Sequence, residues 1–153
     1  MSVTIHICTS IAAPPADVWR AVERIESHVE WMLDAERITF RSEQHEGVGA
    51  EFDCLTRVGP LRTTDRFVVT RWVPGEAMGI EHRGAVTGVG EFRLAPLADG
   101  ASTRFCWEET LAFPWWLGSV AGERFGRPVL KRIWEGNLRR LKAKVEADQR
   151  RDQ

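Results

Sequence analysis

The sequence feature that most constrains the fold is the order of apolar patterns along the chain. Residues 3–11 alternate between apolar and polar side chains, which is the period-two pattern of a half-buried β-strand. Six more strand-like segments follow, and the chain closes on a long amphipathic helix over residues 128–148. The apolar stripe of that helix consists of Leu130, Ile133, Trp134, Leu138, Leu141 and Val145. This order predicts an α+β fold in which a curved sheet grips the C-terminal helix.

Two short helices are predicted directly after the first strand. Pro15 lies in the first turn of the first helix, where a backbone N–H is not needed. Val18, Val22 and Ile25 then follow helical spacing. A second apolar cluster at residues 29–33 predicts the second helix.

Turns containing glycine or proline divide the middle of the chain into strands. The predicted strands span residues 37–44, 50–58, 61–73, 76–84, 88–96 and 101–113. Each has one more apolar face, which is expected to point inward. Two-residue turns at 59–60 and 74–75 and a four-residue loop at 97–100 keep inward residues opposite each other. The pairs predicted in this way are Cys54–Asp65, Phe52–Phe67, Phe67–His82, His82–Gly90 and Phe92–Phe105.

Composition narrows the class of protein. The chain has 153 residues, of which 43% are apolar, and this suits a single domain over residues 1–153 with a substantial core. A formal net charge of −1 gives no general attraction to nucleic acid, so no nucleic-acid partner is expected. There is no secretory leader pattern, and no apolar run reaches the roughly 18 residues of a membrane-spanning helix. A cytoplasmic protein is therefore expected.

The cysteine and histidine patterns argue against several kinds of site. Cys8, Cys54 and Cys106 are odd in number and form no C-x-x-C pair, which predicts no disulfide framework and a reducing compartment. Of the three, Cys54 lies on a predicted inward face and could line a pocket. The histidines are scattered and no H-E-x-x-H, P-loop or dinucleotide motif is present, so neither a metal site nor a cofactor is predicted.

Four segments resemble a known family. They are residues 11–19 (IAAPPADVW), 30–31 (EW), 71–75 (RWVPG) and 97–105 (LADGASTRF). These segments look like the polyketide cyclase/dehydrase and lipid-transport branch of the START-type (SRPBCC) superfamily, and the resemblance covers essentially the whole chain. It implies the helix-grip fold: a seven-stranded antiparallel sheet curved around a long C-terminal helix, with two short helices after the first strand and a cavity between sheet and helix. The family contains ligand carriers, cyclases, hydrolases and co-chaperone-like modules, so the fold does not choose among these functions.

Three ionisable residues fall on the predicted inward faces: Asp65, His82 and Glu109. A buried charge without a partner is costly, so each of them needs an explanation. One interpretation is a cavity in which His82 is the acid/base group and Asp65 or Glu109 is its partner. The other is an internal hydrogen-bonded group, or strand-end residues that reach water. The sequence leaves both open.

The predicted ligand site lies between the sheet and the last helix. Its residues are Phe52, Cys54, Phe67, Ile80, His82, Phe92, Trp107, Glu109, Trp134 and Leu138. The expected partner is a small hydrophobic molecule such as a lipid, a polyketide or another apolar metabolite. Three functions remain open: a carrier or sensor, an enzyme of cyclase, dehydrase or hydrolase type, and an interaction module with a filled core.

The segment before the last helix allows two further interpretations. Residues 113–126 are apolar, rich in small residues and bounded by helix breakers, which favours a mobile flap over the cavity. Trp115 and Trp116, together with the basic outer face of the last helix, would suit transient contact with an anionic membrane. The alternative is an ordinary solvated helix face with the two tryptophans packed at the cavity mouth. No pattern indicates the oligomeric state.

Overall fold

A computed structural model describes residues 2–114 and 126–153, and these form a single antiparallel sheet with a long helix packed on one face. The strands are β1 Ser2–Ile11, β2 Ala35–Phe40, β3 Glu51–Val58, β4 Leu61–Val73, β5 Ala77–Arg83, β6 Thr87–Leu97 and β7 Ser102–Ala112. Their spatial order is β1-β7-β6-β5-β4-β3-β2. The helices are α1 Pro15–Glu23, a 3₁₀ helix Ile25–Glu30, a 3₁₀ turn Ala98–Gly100 and α2 Arg127–Arg151. The α+β helix-grip architecture is confirmed.

Helix α2 buries the stripe that the sequence predicts. Trp134, Leu138, Leu141 and Val145 are all buried, while Leu130 and Ile133 pack at the edge of the core. On β1 the buried and exposed residues alternate strictly up to Cys8, as expected for a strand with one face against the core. We call the face of the sheet that packs toward α2 the inner face and the opposite one the outer face.

Two short helices follow β1 as predicted, but the second lies at Ile25–Glu30, earlier than the cluster at residues 29–33 from which it was predicted. Helix α1 begins at Pro15 and buries Val18, Trp19 and Val22. The second helix is a 3₁₀ helix that buries Ile25 and His28, and the buried Trp31 follows its end. Both elements close one end of the core.

Two hairpin registers agree with the sequence and two differ from it. Cys54 pairs with Asp65, Phe52 with Phe67, and Phe67 with His82, as predicted. The predicted β6–β7 register is wrong by two residues: Phe92 pairs with Trp107, and Phe105 pairs with Leu94. The reason is the turn, because Ala98 and Asp99 adopt positive φ angles of 49° and 56° there and let β6 continue to Leu97.

The predicted β5–β6 register is wrong by the same amount. Ile80 lies opposite Gly90, and His82 lies opposite Gly88, because the connection consists of residues 84–86. A shift of two residues leaves every side chain on its predicted face. The inward and outward assignments therefore hold although the partners change.

The prediction of no disulfide is wrong. Cys8 and Cys106 are directly opposite each other in the β1–β7 register and form a disulfide on the outer face, whereas Cys54 is a free, buried thiol. The sequence did not show this pairing because 98 residues separate the two cysteines and the first and last strands meet only in the folded sheet. The odd cysteine count therefore gives no support for a reducing compartment.

Two other expectations concern the segment before α2 and the membrane. Most of the predicted flap, including Trp115 and Trp116, lies outside the described residues. Among residues 2–114 and 126–153, no helix combines the length and the apolar character needed to cross a membrane.

Candidate functional site

A cavity of about 320 Å³ lies between the inner face of the sheet and α2. Its wall includes most of the predicted ligand-site residues, namely Phe52, Cys54, Phe67, Ile80, His82, Phe92, Trp107, Glu109 and Trp134. Leu138 does not line it, because this side chain lies one helical turn beyond Trp134 and is buried in the core. Asp65 also faces the cavity.

Aromatic rings form much of the wall. Phe52 stacks on Phe67 with 5.2 Å between ring centroids, and Trp107 stacks on Trp134 at 4.7 Å. The second pair joins β7 to α2, so the sheet and the helix each contribute one indole to the cavity wall. Flat apolar surfaces of this kind favour a flat apolar ligand.

His82 and Glu109 form the polar centre of the wall. The Nε2 atom of His82 lies 3.4 Å from Oε2 of Glu109, and both side chains are nearly buried, at 10% and 8% exposure. The indole Nε1 of Trp107 donates a hydrogen bond of 3.0 Å to Oε1 of Glu109. The Nε2 atom of His82 is buried and makes no aligned hydrogen bond within the described part of the chain.

Gly90 leaves the space that Glu109 occupies. The two residues are paired in the β6–β7 register, and a Cβ atom on Gly90 would lie 2.7 Å from Cγ of Glu109. The sequence assigned this gap to His82, and the structure assigns it to Glu109 because the register shifts by two residues. Only glycine allows this close approach without moving the carboxylate.

The contacts of Asp65 differ from the predicted one with His82. It is 5% exposed and accepts hydrogen bonds from Oγ1 of Thr63 at 3.2 Å and from the backbone N–H of Ala85 at 3.0 Å. Gly84 lies directly over it, since a Cβ there would be 2.0 Å from Oδ1. The described contacts of Asp65 thus hold the β5–β6 connection and do not orient the His82 ring.

The sequence did not predict a second polar group at the base of the cavity, centred on Asp34. Its carboxylate accepts hydrogen bonds from Nδ2 of Asn137 at 2.7 Å and from Nε1 of Trp134 at 3.3 Å. Burial raises the pKa of Asp34. Arg140 donates to the fully buried Asn137 and, at 3.1 Å, to the backbone carbonyl of Trp31, which ties α2 to the segment before β2.

One residue in the sequence indicates the polar group centred on Asp34. Asn137 interrupts the apolar stripe of α2 directly before Leu138, and a polar residue inside a buried stripe needs a partner. Asp34 gives no comparable signal. It lies in a turn, where the spacing of apolar residues does not indicate which way a side chain points.

His28 is a further cavity residue that the sequence did not single out. Its Nε2 donates a hydrogen bond of 2.7 Å to the backbone carbonyl of Val22, and its ring packs between Trp31 and Phe92. Burial lowers the pKa of His28 to about 4, so the ring is neutral at neutral pH. Cys54 is kept neutral in the same way, since burial raises the pKa of its thiol to about 11. Neither group adds charge to the cavity.

The cavity offers few metal ligands in one place. Within the described residues, the one group of three His, Cys, Asp or Glu side chains close enough to share an ion is His6, Cys8 and Cys106 on the outer face.

Comparison with known proteins places this fold in a family. No curated protein matches the chain. Among solved structures, TTHA0849 from Thermus thermophilus superposes with a TM-score of 0.82 at 14% identity, covering 95% of this chain and 99% of that one. The Zhui aromatase/cyclase from Streptomyces sp. R1128 superposes with a TM-score of 0.79 at 14% identity, covering 95% and 94%. A START superfamily protein from Mycobacterium smegmatis gives 0.74 at 11% identity, covering 94% and 97%.

At these identities the superpositions show a shared fold and not a shared activity. The family model described as polyketide cyclase/dehydrase and lipid transport matches residues 2–146, which is nearly the whole chain. The resemblance found in the sequence is thereby confirmed. The chain belongs to the polyketide cyclase/dehydrase and lipid transport family.

Proposed function

We propose that this protein binds a small, largely apolar molecule in the cavity between the sheet and α2. The observation that carries the proposal is a cavity of about 320 Å³ with aromatic walls and one nearly buried polar centre, His82 and Glu109. Specific ligand sites commonly combine apolar walls with a few convergent polar groups. A filled-core interaction module would need no such space, so the cavity favours binding over that alternative.

The size and shape of the cavity favour a compact ligand. Its volume is at the lower end of the roughly 300–1,000 Å³ typical of sites for drug-sized molecules. The stacked pairs Phe52–Phe67 and Trp107–Trp134 present flat surfaces. A flat polycyclic molecule with one hydrogen-bonding end near His82 fits this wall better than a long acyl chain.

Binding can be tested with the tryptophan emission of the protein itself. Flat polycyclic compounds and hydrophobic fluorophores should bind one per chain and quench emission from Trp107 and Trp134, because a ligand in the cavity contacts both rings. Native mass spectrometry of freshly purified protein should show whether a molecule is retained from the cell. Absence of saturable binding across a broad apolar library would contradict the proposal.

A second candidate function is acid/base catalysis on the bound molecule. The observation that favours it is the 3.4 Å contact between His82 and Glu109, because a histidine beside a carboxylate is an arrangement used in general acid/base catalysis. Asp65 is the weaker candidate, since its oxygens are occupied by Thr63 and Ala85.

The two functions differ in their response to His82→Gln. For an enzyme, the substitution should abolish turnover and leave ligand affinity within about a few-fold, because the interaction is needed only in the transition state. For a carrier, it should change affinity or selectivity, and no ligand should be converted. Asp65→Asn serves as the control, since it should lower stability and leave any turnover per folded molecule in place.

A further inference from the structure

The outer face of the sheet holds a cluster that the cavity does not explain. In the β1–β7 register His6 lies opposite Glu108, and Cys8 lies opposite Cys106. Side chains two residues apart on a strand share a face, so these four groups form one patch on the side away from the ligand cavity. His6, Cys8 and Glu108 are exposed, and Cys106 is half-buried. The patch is therefore open to reagents and ions from solution.

Of these side chains, His6 already lies at a metal-ligand distance from one of the two sulfurs. The His6 nitrogen and the two cysteine sulfurs all lie within 4.8 Å of one another, and Nε2 of His6 is 3.7 Å from Sγ of Cys8. In a tetrahedral zinc site with Zn–S of about 2.3 Å and Zn–N of about 2.0 Å, the N···S edge is about 3.5 Å. His6 thus lies close to the required distance from Cys8. The disulfide bond is what keeps the sulfurs from coordinating.

Neighbouring residues suit the reduced form of the cluster. Arg104 donates from Nε to Sγ of Cys106 at 3.5 Å and from Nη2 to Sγ of Cys8 at 3.8 Å. A guanidinium beside the sulfurs favours thiolates, which are the nucleophiles in disulfide exchange and the ligands in metal sites. Two thiolates neutralise a divalent cation, so Arg104 does not oppose its binding. Glu108 lies opposite His6 in the register but outside the group of three that converges within 4.8 Å, so the fourth position is left to water.

We propose that reduction of the Cys8–Cys106 disulfide creates a binding site for a zinc-like divalent cation, with Cys8, Cys106 and His6 as ligands and water as the fourth donor. A dithiol reductant supplies two electrons and two protons, so that the disulfide becomes two thiols and the reductant becomes a disulfide. The cation then displaces one proton from each thiol and binds two thiolates and a neutral imidazole. The first and last strands are joined by the disulfide in one state and by the metal in the other.

Cobalt(II) is a direct probe of this site. The protein is reduced with dithiothreitol, desalted without oxygen and titrated with Co²⁺, with the oxidised protein in parallel. The reduced form should bind one ion per chain and show thiolate-to-cobalt charge-transfer bands with the visible bands of tetrahedral cobalt, and Zn²⁺ should displace the ion. The oxidised form should show neither set of bands.

Variants assign the ligands. Cys8→Ser and Cys106→Ser should each remove most of the charge-transfer intensity, and His6→Ala should weaken Zn²⁺ binding at least about tenfold in competition with a chromophoric chelator. Cys54→Ser is the matched control for metal binding, because this thiol lies in the ligand cavity on the other face and its loss should leave the cobalt bands and the Zn²⁺ affinity unchanged.

A second measurement needs no variant. Zn²⁺ should slow alkylation of the reduced Cys8 and Cys106 and leave the rate at Cys54 unchanged, as read from labelled peptides by mass spectrometry. The proposal is overturned if the reduced wild type binds no Co²⁺ with thiolate bands, if the bands persist in the Cys8→Ser/Cys106→Ser double variant, or if Zn²⁺ protects Cys54 alone.

Discussion

Strand β7 places Glu109 on the inner face and Glu108 on the outer face, and the two carboxylates have opposite surroundings. Glu109 is 7% exposed, accepts a hydrogen bond from Trp107 and lies beside His82. Glu108 is exposed to solvent. Water stabilises a surface charge, whereas a buried one needs partners that the fold must supply. A polar group on the inner face is therefore a stronger sign of function than the same group on the outer face.

The outer face shows what an ordinary charged surface of this sheet looks like. Arg71 and Arg93 both pair with Glu91, at 2.7 and 3.0 Å, and Arg66 pairs with Glu51 at 3.1 Å. These pairs form a solvated charge ladder across the strands. The His6–Cys8–Cys106 cluster differs from it because three potential ligands converge within 4.8 Å.

The largest expected effect is the difference in stability between a substitution on the buried side of α2 and one on its exposed side. Leu138→Glu places a carboxylate in the core, where Leu138 is 3% exposed, and should lower the free energy of unfolding by at least about 3 kcal/mol. Arg139→Glu, on the exposed side of the same turn, should change it by less than about 1 kcal/mol. Urea denaturation measures both. Equal changes in the free energy of unfolding for the two variants would contradict the packing of α2 against the sheet.

Acid should weaken the inner face through His28. Its pKa is about 4 in the folded protein and 6.5 in the unfolded chain, so the unfolded state binds more protons between these values. Stability that is fully present above pH 6.5 should fall as the pH drops toward 4, by up to about 3 kcal/mol. Urea denaturation across this range should give a steeper loss for wild type than for His28→Gln. Parallel curves would mean that His28 is not buried as described.

The close approach of Gly90 and Glu109 predicts a smaller, coupled effect. Gly90→Ala should destabilise the protein by about 1–3 kcal/mol, because the new Cβ would lie 2.7 Å from Cγ of Glu109. In a Glu109→Ala background that obstacle is gone, and Gly90→Ala should cost little. A double-mutant cycle by denaturation gives the coupling free energy. A value near zero would break the assignment of this gap to Glu109.

The smallest effect is expected on the outer face. Arg71→Gln removes an ion pair of 2.7 Å in which the arginine side chain is 51% exposed. Exposed pairs contribute roughly 0–1 kcal/mol and are screened by salt. Denaturation at low and high salt should give a small difference between variant and wild type that shrinks further at high salt. A loss of stability as large as that in Gly90→Ala would contradict the expected difference between the inner and outer faces of the sheet.

How far the sequence predicted this structure depends on the kind of pattern involved. Alternation on β1 and the stripe from Leu130 to Val145 predicted the faces correctly, because burial of apolar area decides which way a side chain points. The β5–β6 and β6–β7 registers were wrong by two residues, because turn conformations such as that at Ala98 and Asp99 set the pairing and leave no apolar signal.

For the candidate site too, the sequence predicted the face on which a side chain lies but not the contacts that depend on turns or on distant strands. Inward placement of His82 and Glu109 followed from alternation, and the structure brings them to 3.4 Å. The sequence did not predict Asp34 or its contact with Asn137, because Asp34 lies in a turn and belongs to no regular apolar pattern. The Cys8–Cys106 pair was missed because it depends on the pairing of the first and last strands, which become neighbours only in the folded sheet. Long-range pairing of this kind is a property of the fold and not of any local segment.

The most direct test of the central claim is to fill the cavity and compare it with an equal change outside. Ile80 lines the cavity, whereas Val89 on the neighbouring strand is 57% exposed. The dissociation constant of a hydrophobic fluorophore is measured for wild type, Ile80→Trp and Val89→Trp from the emission of the fluorophore. The account predicts saturable binding of one molecule per chain to wild type and Val89→Trp, with affinity at least about tenfold weaker for Ile80→Trp because the indole occupies the space of the ligand. Equal affinity in all three proteins would place binding elsewhere and contradict the account.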